Sequence, residues 1–362
     1  MSFTQFNDDD QVLSTDTIIS PMWSDNATQL STFFSWSLQE LSNSNTAAGK
    51  FYLDVYKGNV ALTQSLEGQF SIAYGHISGS GSAYFNALVP NRTPTRDIYG
   101  QFRALVYGDE NTSFYFGGTS FTSKDIIVLS INRARFKESI NPGSFYLTIK
   151  SGSNQISLVD DSTVTTNSTF IGTSRVYQLL SGSYDLSTQT TVPSSSNYTV
   201  SGSYGLLIPD EGLIILNPRA LSIPAGPDGG VSASFNEFSS SQVYDFNVAQ
   251  GANAYNINNR MVFNMISGST APSFSAQSFE NVSSRYFFTR VKNAENNYTT
   301  NPTIIDNNGN LLYTQLVYNP QTYITTVGLY NDTGDLLAVA KLNKPLVKDF
   351  TKELLLRVKL DF

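Results

Sequence analysis

Short segments with period-two alternation recur along the chain, and no stretch of 15 residues carries a convincing 3.6-residue apolar period. Successive strand side chains point to opposite faces, so alternation marks a half-buried strand, whereas an amphipathic helix repeats every 3.6 residues. The strand-like segments are Lys50–Tyr56, Gly68–Tyr74, Ile126–Phe136, Ser144–Ile149, Gly212–Leu216, Arg285–Val291, Leu311–Tyr318, Tyr323–Tyr330, Leu336–Leu342 and Leu354–Leu360. Turn residues separate them, as in Asn141-Pro142-Gly143, Asp306-Asn307-Asn308-Gly309 and Asn331-Asp332-Thr333-Gly334. Asn and Gly accept the positive φ that tight turns require. Leu30–Leu41 is compatible with a short helix. The pattern predicts an all-β chain of two or three β-sandwich or barrel-like domains with few short helices. No fixed-period repeat suggests a solenoid or propeller, and no heptad run suggests a fibrous stalk.

Composition excludes several chemistries. The 362 residues include no cysteine and one histidine, His76. A disulfide scaffold, a thiol nucleophile and a thiolate metal site are therefore impossible, and so is any metal motif that needs two histidines. A net charge of -7 argues against a nucleic-acid-binding surface. The 24 Phe and 20 Tyr supply enough apolar area for a core, which argues against disorder. No apolar run approaches the length of a membrane helix, and MSFTQFNDDD at the start lacks the features of a secretory leader. The closing strand LLLRVKLDF ends on an aromatic, as outer-membrane barrels often do, but Leu354-Leu355-Leu356 breaks the alternation.

Charge and serine are unevenly placed. Residues 1–150 hold 10 basic and 13 acidic side chains, residues 151–284 hold 3 and 9, and residues 285–362 hold 9 and 7. All 47 serines lie at or before Ser284. Ser-, Gly- and Pro-rich stretches at Thr191–Ser203 and Ile223–Ser234 read as boundaries or linkers. These shifts predict an N-terminal β scaffold domain over 1–150, an acidic Ser/Gly-rich inserted β domain over 151–284, and a C-terminal β domain over 285–362 that packs with the N-terminal part.

Local motifs for catalysis are lacking. His76 has no neighbouring partner in sequence to make it a general base. Asp8-Asp9-Asp10 and Asp160-Asp161 lack the ligand spacing of a calcium loop and read as solvated turns. Asp332-Thr333-Gly334-Asp335 reads as a hairpin turn. No catalytic, cofactor-binding or metal-binding residue is assigned. Arg133 and Arg135 alternate in INRARFKE, so on a strand they share a face as a basic stripe. Arg285, Tyr286, Phe288 and Arg290 lie on an aromatic strand bracketed by arginines. Tyr and Arg are enriched at interface hot spots, so these six residues are the candidate interface.

Three stretches resemble virion structural proteins of contractile-tailed phages, particularly cyanophage-like myoviruses. They are IYGQFRALVYG at Ile98–Gly108, SINRARFKESINPGSFYL at Ser130–Leu147, and the chain from Tyr286 to Phe362. The last is also similar to the β-domain of phage tail-collar and tail-fibre proteins, through Thr326-Val327-Gly328-Leu329-Tyr330 and Leu336-Leu337-Ala338-Val339-Ala340. Thr326 stands where the fibre pattern has Glu. The resemblance implies a non-enzymatic tail or baseplate component, assembled in the host cytoplasm into the virion. It would need no cofactor, bind other virion proteins, and be a homo-oligomer or present in several copies, with neither nucleic acid nor membrane as partner. The alternatives are a receptor-binding module for a host surface glycan, or a neck or capsid decoration protein.

Overall fold

The computed structural model describes residues 5–30, 52–57, 67–79, 93–151, 154–164, 169–172, 174–185, 187–194, 198–221, 257–269, 274–299 and 301–361. Strands β1 (Gln11–Pro21), β2 (Gln29–Leu30), β3 (Tyr52–Lys57) and β4 (Glu67–His76) precede helix α1 (Pro94–Tyr107). Then come β5 (Phe114–Tyr115), β6 (Thr122–Ser123), β7 (Asp125–Ile131), β8 (Ser139–Ile140), β9 (Tyr146–Ser151) and β10 (Asn154–Asp160). These are followed by β11 (Thr169–Ile171), β12 (Ser174–Asp185), β13 (Thr190–Pro193), β14 (Gly205–Ile208) and β15 (Leu213–Leu216). Helices α2 (Pro218–Leu221) and α3 (Ile257–Ser267) lead to β16 (Phe274–Ser275) and β17 (Gln277–Val291). The short helix α4 (Gln315–Tyr318) precedes β18 (Thr322–Tyr330), β19 (Leu336–Lys348) and β20 (Leu354–Asp361). The fold is all-β, with large curled antiparallel sheets and few helices. Of the expected helix Leu30–Leu41, all but its first residue lies outside the described residues, and so does the stretch Ile223–Ser234.

The chain divides into two compact units: Ile19–Glu280, and Met1–Ile18 together with Asn281–Phe362. The larger unit is built on a sheet of order β2-β16-β9-β10-β12-β14-β15-β7-β4-β3, with β11 and β13 also paired to β12. The sheet curls until its ends meet. Phe70 of β4 lies near one end and Phe274 of β16 near the other, yet their rings are 5.4 Å apart. Both belong to one core with Trp23, Leu53, Leu129, Leu179 and Ile214. The central strands bury their second face too. Ile127 and Leu129 face the first core, while Ile126 and Val128 join a second with Tyr99, Val106 and Phe114. That is why IIVLSI, GLLI and LIIL are nearly unbroken apolar runs: a strand covered on both faces has no polar side to alternate with.

Helix α1 covers the second core, and the sequence carried its signals. Pro94 sits at the first helical turn, Gly108 ends the helix with φ 66°, and Tyr99 and Val106 are buried. Proline at the start and glycine just past the end are the favoured termini of a helix. Ile98, Tyr99, Phe102 and Val106 recur at helical spacing and pack into that core, so this 14-residue segment does carry a 3.6-residue period, against the expectation from the sequence.

The predicted division at residue 150 runs through the middle of this sheet. Strands β10, β12, β14 and β15 lie between β9 on one side and β7 on the other. Residues 151–221 are therefore interleaved with 67–150 in one sheet, and the acidic stretch is not a separate inserted body. The charge shift does not mark where one core ends: two of its acids, Asp160 and Asp161, are themselves buried.

In the smaller unit β17 lies between β1 and β20, while β18 and β19 form a two-stranded hairpin. The hairpin turn is Asn331–Gly334, with Gly334 at φ 86° and its N–H donating to Asn331 O (3.0 Å). The expected strand Leu311–Tyr318 is not one. Leu311 makes an isolated bridge to Ile305, and Leu316 and Val317 donate to Tyr313 O and Thr314 O, which closes α4 locally. With no neighbouring strand to pair with among the described residues, the backbone satisfies itself within the turn.

Candidate interaction surfaces

The predicted basic stripe of Arg133 and Arg135 is not on a strand. Strand β7 stops at Ile131, and the Asn132 side chain accepts from Ala134 N–H (3.0 Å), closing a single 3-10 turn over Arg133–Arg135. Asn competes with the ladder for backbone N–H groups in this way, and the alternation is lost. Arg133 donates to Phe136 O (2.9 Å) and Lys137 O and lies 4.5 Å above the Phe136 ring. Arg135 donates to Ser24 Oγ (2.8 Å) and pairs with Glu67 (3.4 Å). Beside it lies a cleft of about 300 Å³ lined by Trp23, Ser24, Glu67, Arg135, Phe136 and Lys137. Both guanidinium groups thus hold the turn to its own unit.

The other four candidates lie on β17, and the register with β20 sorts them. Tyr286 is opposite Lys359, Phe288 opposite Arg357 and Arg290 opposite Leu355, while Arg285 is opposite Leu360. Directly opposed residues share a face. Tyr286, Phe288 and Arg290 therefore share one face with Leu355, Arg357 and Lys359, and Arg285 lies on the other with Phe287, Val358 and Leu356. The arginines that bracket the strand cannot serve one surface together. On the first face the Arg357 guanidinium lies 5.4 Å and the Lys359 ammonium 5.8 Å from the Tyr286 ring centre. Arg290 pairs with Glu353 (2.6 Å), and Lys359 with Asp361 (3.0 Å). Leu355 is 67% exposed among these cations. Leu355, Arg357 and Lys359 were not singled out from the sequence. Their signal was the alternation of LLLRVKLD, in which Leu356 and Val358 are the buried set.

The hairpin β18–β19 also presents large apolar side chains to solvent. Tyr323, Tyr330, Leu336, Leu337 and Val339 are all exposed, Leu337 by 69%. Leu329 is buried, opposite Ala338. One end is anchored by Lys348, which is fully buried. Its ammonium donates to Asn293 O (2.9 Å), Asn297 Oδ1 (2.7 Å) and Asp349 O (2.9 Å). All three protons of the charge are satisfied, which is the condition for keeping it inside. The sequence gives no local sign of this lysine, because two of its acceptors come from a segment more than 50 residues earlier.

Asp160, Asp161 and His76 act as structural acceptors. Asp160 accepts from the N–H groups of Gly143 (2.9 Å), Phe145 (3.3 Å) and Ser162 (3.2 Å), and Asp161 from Gln178 N–H (3.0 Å). Burial pushes the Asp160 and Asp125 carboxyls above the usual carboxylate range, against the hydrogen bonds they accept. His76 ends β4, and its Nδ1 accepts from Ser78 N–H (3.1 Å). Burial, with Lys124 nearby, holds the imidazole below its ordinary pKa. Among the described residues no cluster of His, Asp and Glu is placed to hold a metal ion, and no helix is long and apolar enough to cross a membrane. No protein-family model matches the chain, and no curated protein and no solved structure matches it.

Proposed function

We propose that the protein is a structural component of a phage virion, in the tail or baseplate, and that it works through protein–protein contacts and not by catalysis. The observation that carries the reading is the hairpin β18–β19, which leaves five large apolar side chains exposed on only two strands. A two-stranded sheet is marginal by itself in water, and exposed apolar patches mark interaction sites. The cationic and aromatic face of β17 and β20 has the composition of an interface core and rim. The likeness of Tyr286–Phe362 to phage tail proteins supports the assignment to a particle. In a cytosol that keeps thiols reduced, a chain without cysteine must be held together by packing and strand pairing alone.

The test is to purify particles from lysed host cells, wash them, and probe for the chain with a labelled antibody. Tail-localised label at a low copy number supports the reading. Label over the whole head at hundreds of copies would make it a capsid decoration protein, and absence from washed particles would overturn the virion assignment.

A further inference from the structure

The two edges of the hairpin are protected very differently. Strand β19 carries Lys341, Lys344 and Pro345, and its register with β18 is broken: between the pairs Ile324↔Leu346 and Thr326↔Lys341 it advances five residues against two. Edge lysines, proline and bulges are the devices by which sheet proteins block edge-to-edge pairing. Strand β18 has neither charge nor proline: from Thr322 to Tyr330 the sequence is TYITTVGLY. Among the described residues its outer edge pairs with no other strand. Threonine, tyrosine, isoleucine and valine are the residue types that suit a strand best.

We infer that β18 pairs with β18 of a second copy of this chain, antiparallel about a two-fold axis at Thr326. An isologous contact brings each residue against its own symmetry partner, so the strand must be compatible with itself. The charge pattern decides which edge can do so. β18 is neutral throughout, whereas a two-fold on the outer edge of β19 would bring Lys341 and Lys344 together with their copies. Thr326 is the midpoint of β18. An axis there sets Thr326 opposite Thr326, Thr325 opposite Val327 and Tyr323 opposite Leu329, which are favourable hydroxyl, β-branched and aromatic–aliphatic cross-strand pairs. The result is a continuous four-stranded sheet with the lysine-bearing β19 strands outermost, so pairing stops at two copies.

This inference deepens the assembly reading by naming the partner, and its test needs no particle. The chain contains no cysteine, so a single introduced thiol reports one position. Directly opposed residues of an antiparallel pair have Cα atoms about 4.5–5.5 Å apart, within the range of a disulfide. Oxidised Thr326→Cys is expected to run as a covalent dimer, while Val339→Cys, exposed on β19, stays monomeric. By sedimentation the unaltered full chain is expected at twice 39.7 kDa, and Thr326→Lys at 39.7 kDa, because two ammonium groups would meet on the axis. A monomeric or trimeric unaltered chain would overturn the inference, as would a Thr326→Lys protein that still dimerises. If Thr326→Lys loses its β-type circular dichroism, the cysteine pair decides alone: equal cross-linking of both variants, or of neither, also overturns it. A monomer in solution leaves particle labelling as a separate measurement, and absence from particles leaves the dimer standing.

Discussion

Replacing Phe274 with alanine tests whether the curled sheet is closed through its side chains. Strand β16 has only two residues, and Phe274 is fully buried between β2 and β9, opposite Leu30 and Leu147. Its ring meets Trp23 at 4.7 Å, Phe70 at 5.4 Å and Phe145 at 5.7 Å, all edge-on. These partners come from three separate segments: Trp23 follows β1, Phe70 lies on β4, and Phe145 immediately precedes β9. Each is fixed by its own backbone, so none can move far into the space the ring leaves. The expected loss is therefore about 3–5 kcal/mol, the range for removing a buried phenylalanine whose cavity does not collapse. For a unit of this size each kcal/mol lowers the melting temperature by about 2–4 °C, so the midpoint should fall by about 6–20 °C. The assay is urea and thermal unfolding followed by tryptophan fluorescence. Both tryptophans, at positions 23 and 36, fall within 19–280, and Trp23 touches the deleted ring. Phe170→Ala is the control: that ring is 62% exposed, and its removal should change stability by no more than about 0.5 kcal/mol. A loss below about 1.5 kcal/mol for Phe274→Ala would refute the claim that this ring joins the two ends of the sheet.

Other perturbations follow from the same geometry. Gly205→Ala would set its Cβ 2.5 Å from Ile215 O and 3.1 Å from Leu216 Cα, both backbone atoms of the adjacent strand, so a loss of about 1–3 kcal/mol is expected in urea melts. An unchanged midpoint would mean β14 and β15 are not so closely apposed. Deleting 151–284 removes β10, β12, β14 and β15 from between β9 and β7, and the remainder should fail to fold as judged by amide exchange. A soluble remainder with protected amides would contradict the interleaved sheet. Acidification should act oppositely on the buried carboxyls of the larger unit and the exposed, hydrogen-bonded ones of the smaller. Asp125 and Asp160 have pKa values raised by burial, so the stability they contribute is present below the unfolded carboxyl value and is lost as pH rises through their folded values. Asp306, held low by Asn310, Asp335, held low by Thr333, and Asp361, held low by Ser284, behave in reverse: their contribution is present above the unfolded value and is lost as pH falls through the folded one. Amide protection in 305–341 should therefore fall on acidification before the tryptophan signal of 19–280 changes, and simultaneous loss would speak against the assignment.

The strands were legible where one face is wet or where a turn residue marks the end. Tyr323–Tyr330 became β18 extended by one residue, and Asn331–Gly334 supplied the positive φ its hairpin needs. Arg133 and Arg135 misled because alternation in sequence does not say where a strand stops. One hydrogen bond to the Asn132 side chain converts the three positions that follow it into a turn. The two-sided burial of IIVLSI and LIIL was invisible for a different reason. An apolar run does not say what covers it, and here one face meets the core with Trp23 and Leu179 and the other meets Tyr99 and Val106 of α1. The candidate surface was half legible: the pairing of β17 with β20 supplies Leu355, Arg357 and Lys359 to Tyr286 and Phe288, and sends Arg285 to the opposite face.

The two breaks in composition have different physical origins. The acidity that starts near residue 151 belongs to a stretch whose strands share a core with earlier ones, and two of its carboxyls, Asp160 and Asp161, are buried there, so it marks no boundary. The end of the serine excess at Ser284 falls four residues beyond the division at 280/281. Beyond it the chain is slightly basic, exposes much of its hairpin, and keeps the fully buried Lys348 at the hairpin's base. A chain stabilised mainly by its own core would hide such apolar strands, and a free-standing hairpin would place charges on both edges. This one protects β19 and leaves β18 bare. That asymmetry is what a strand requires if its outer row of hydrogen bonds is to be completed by one further strand and no more.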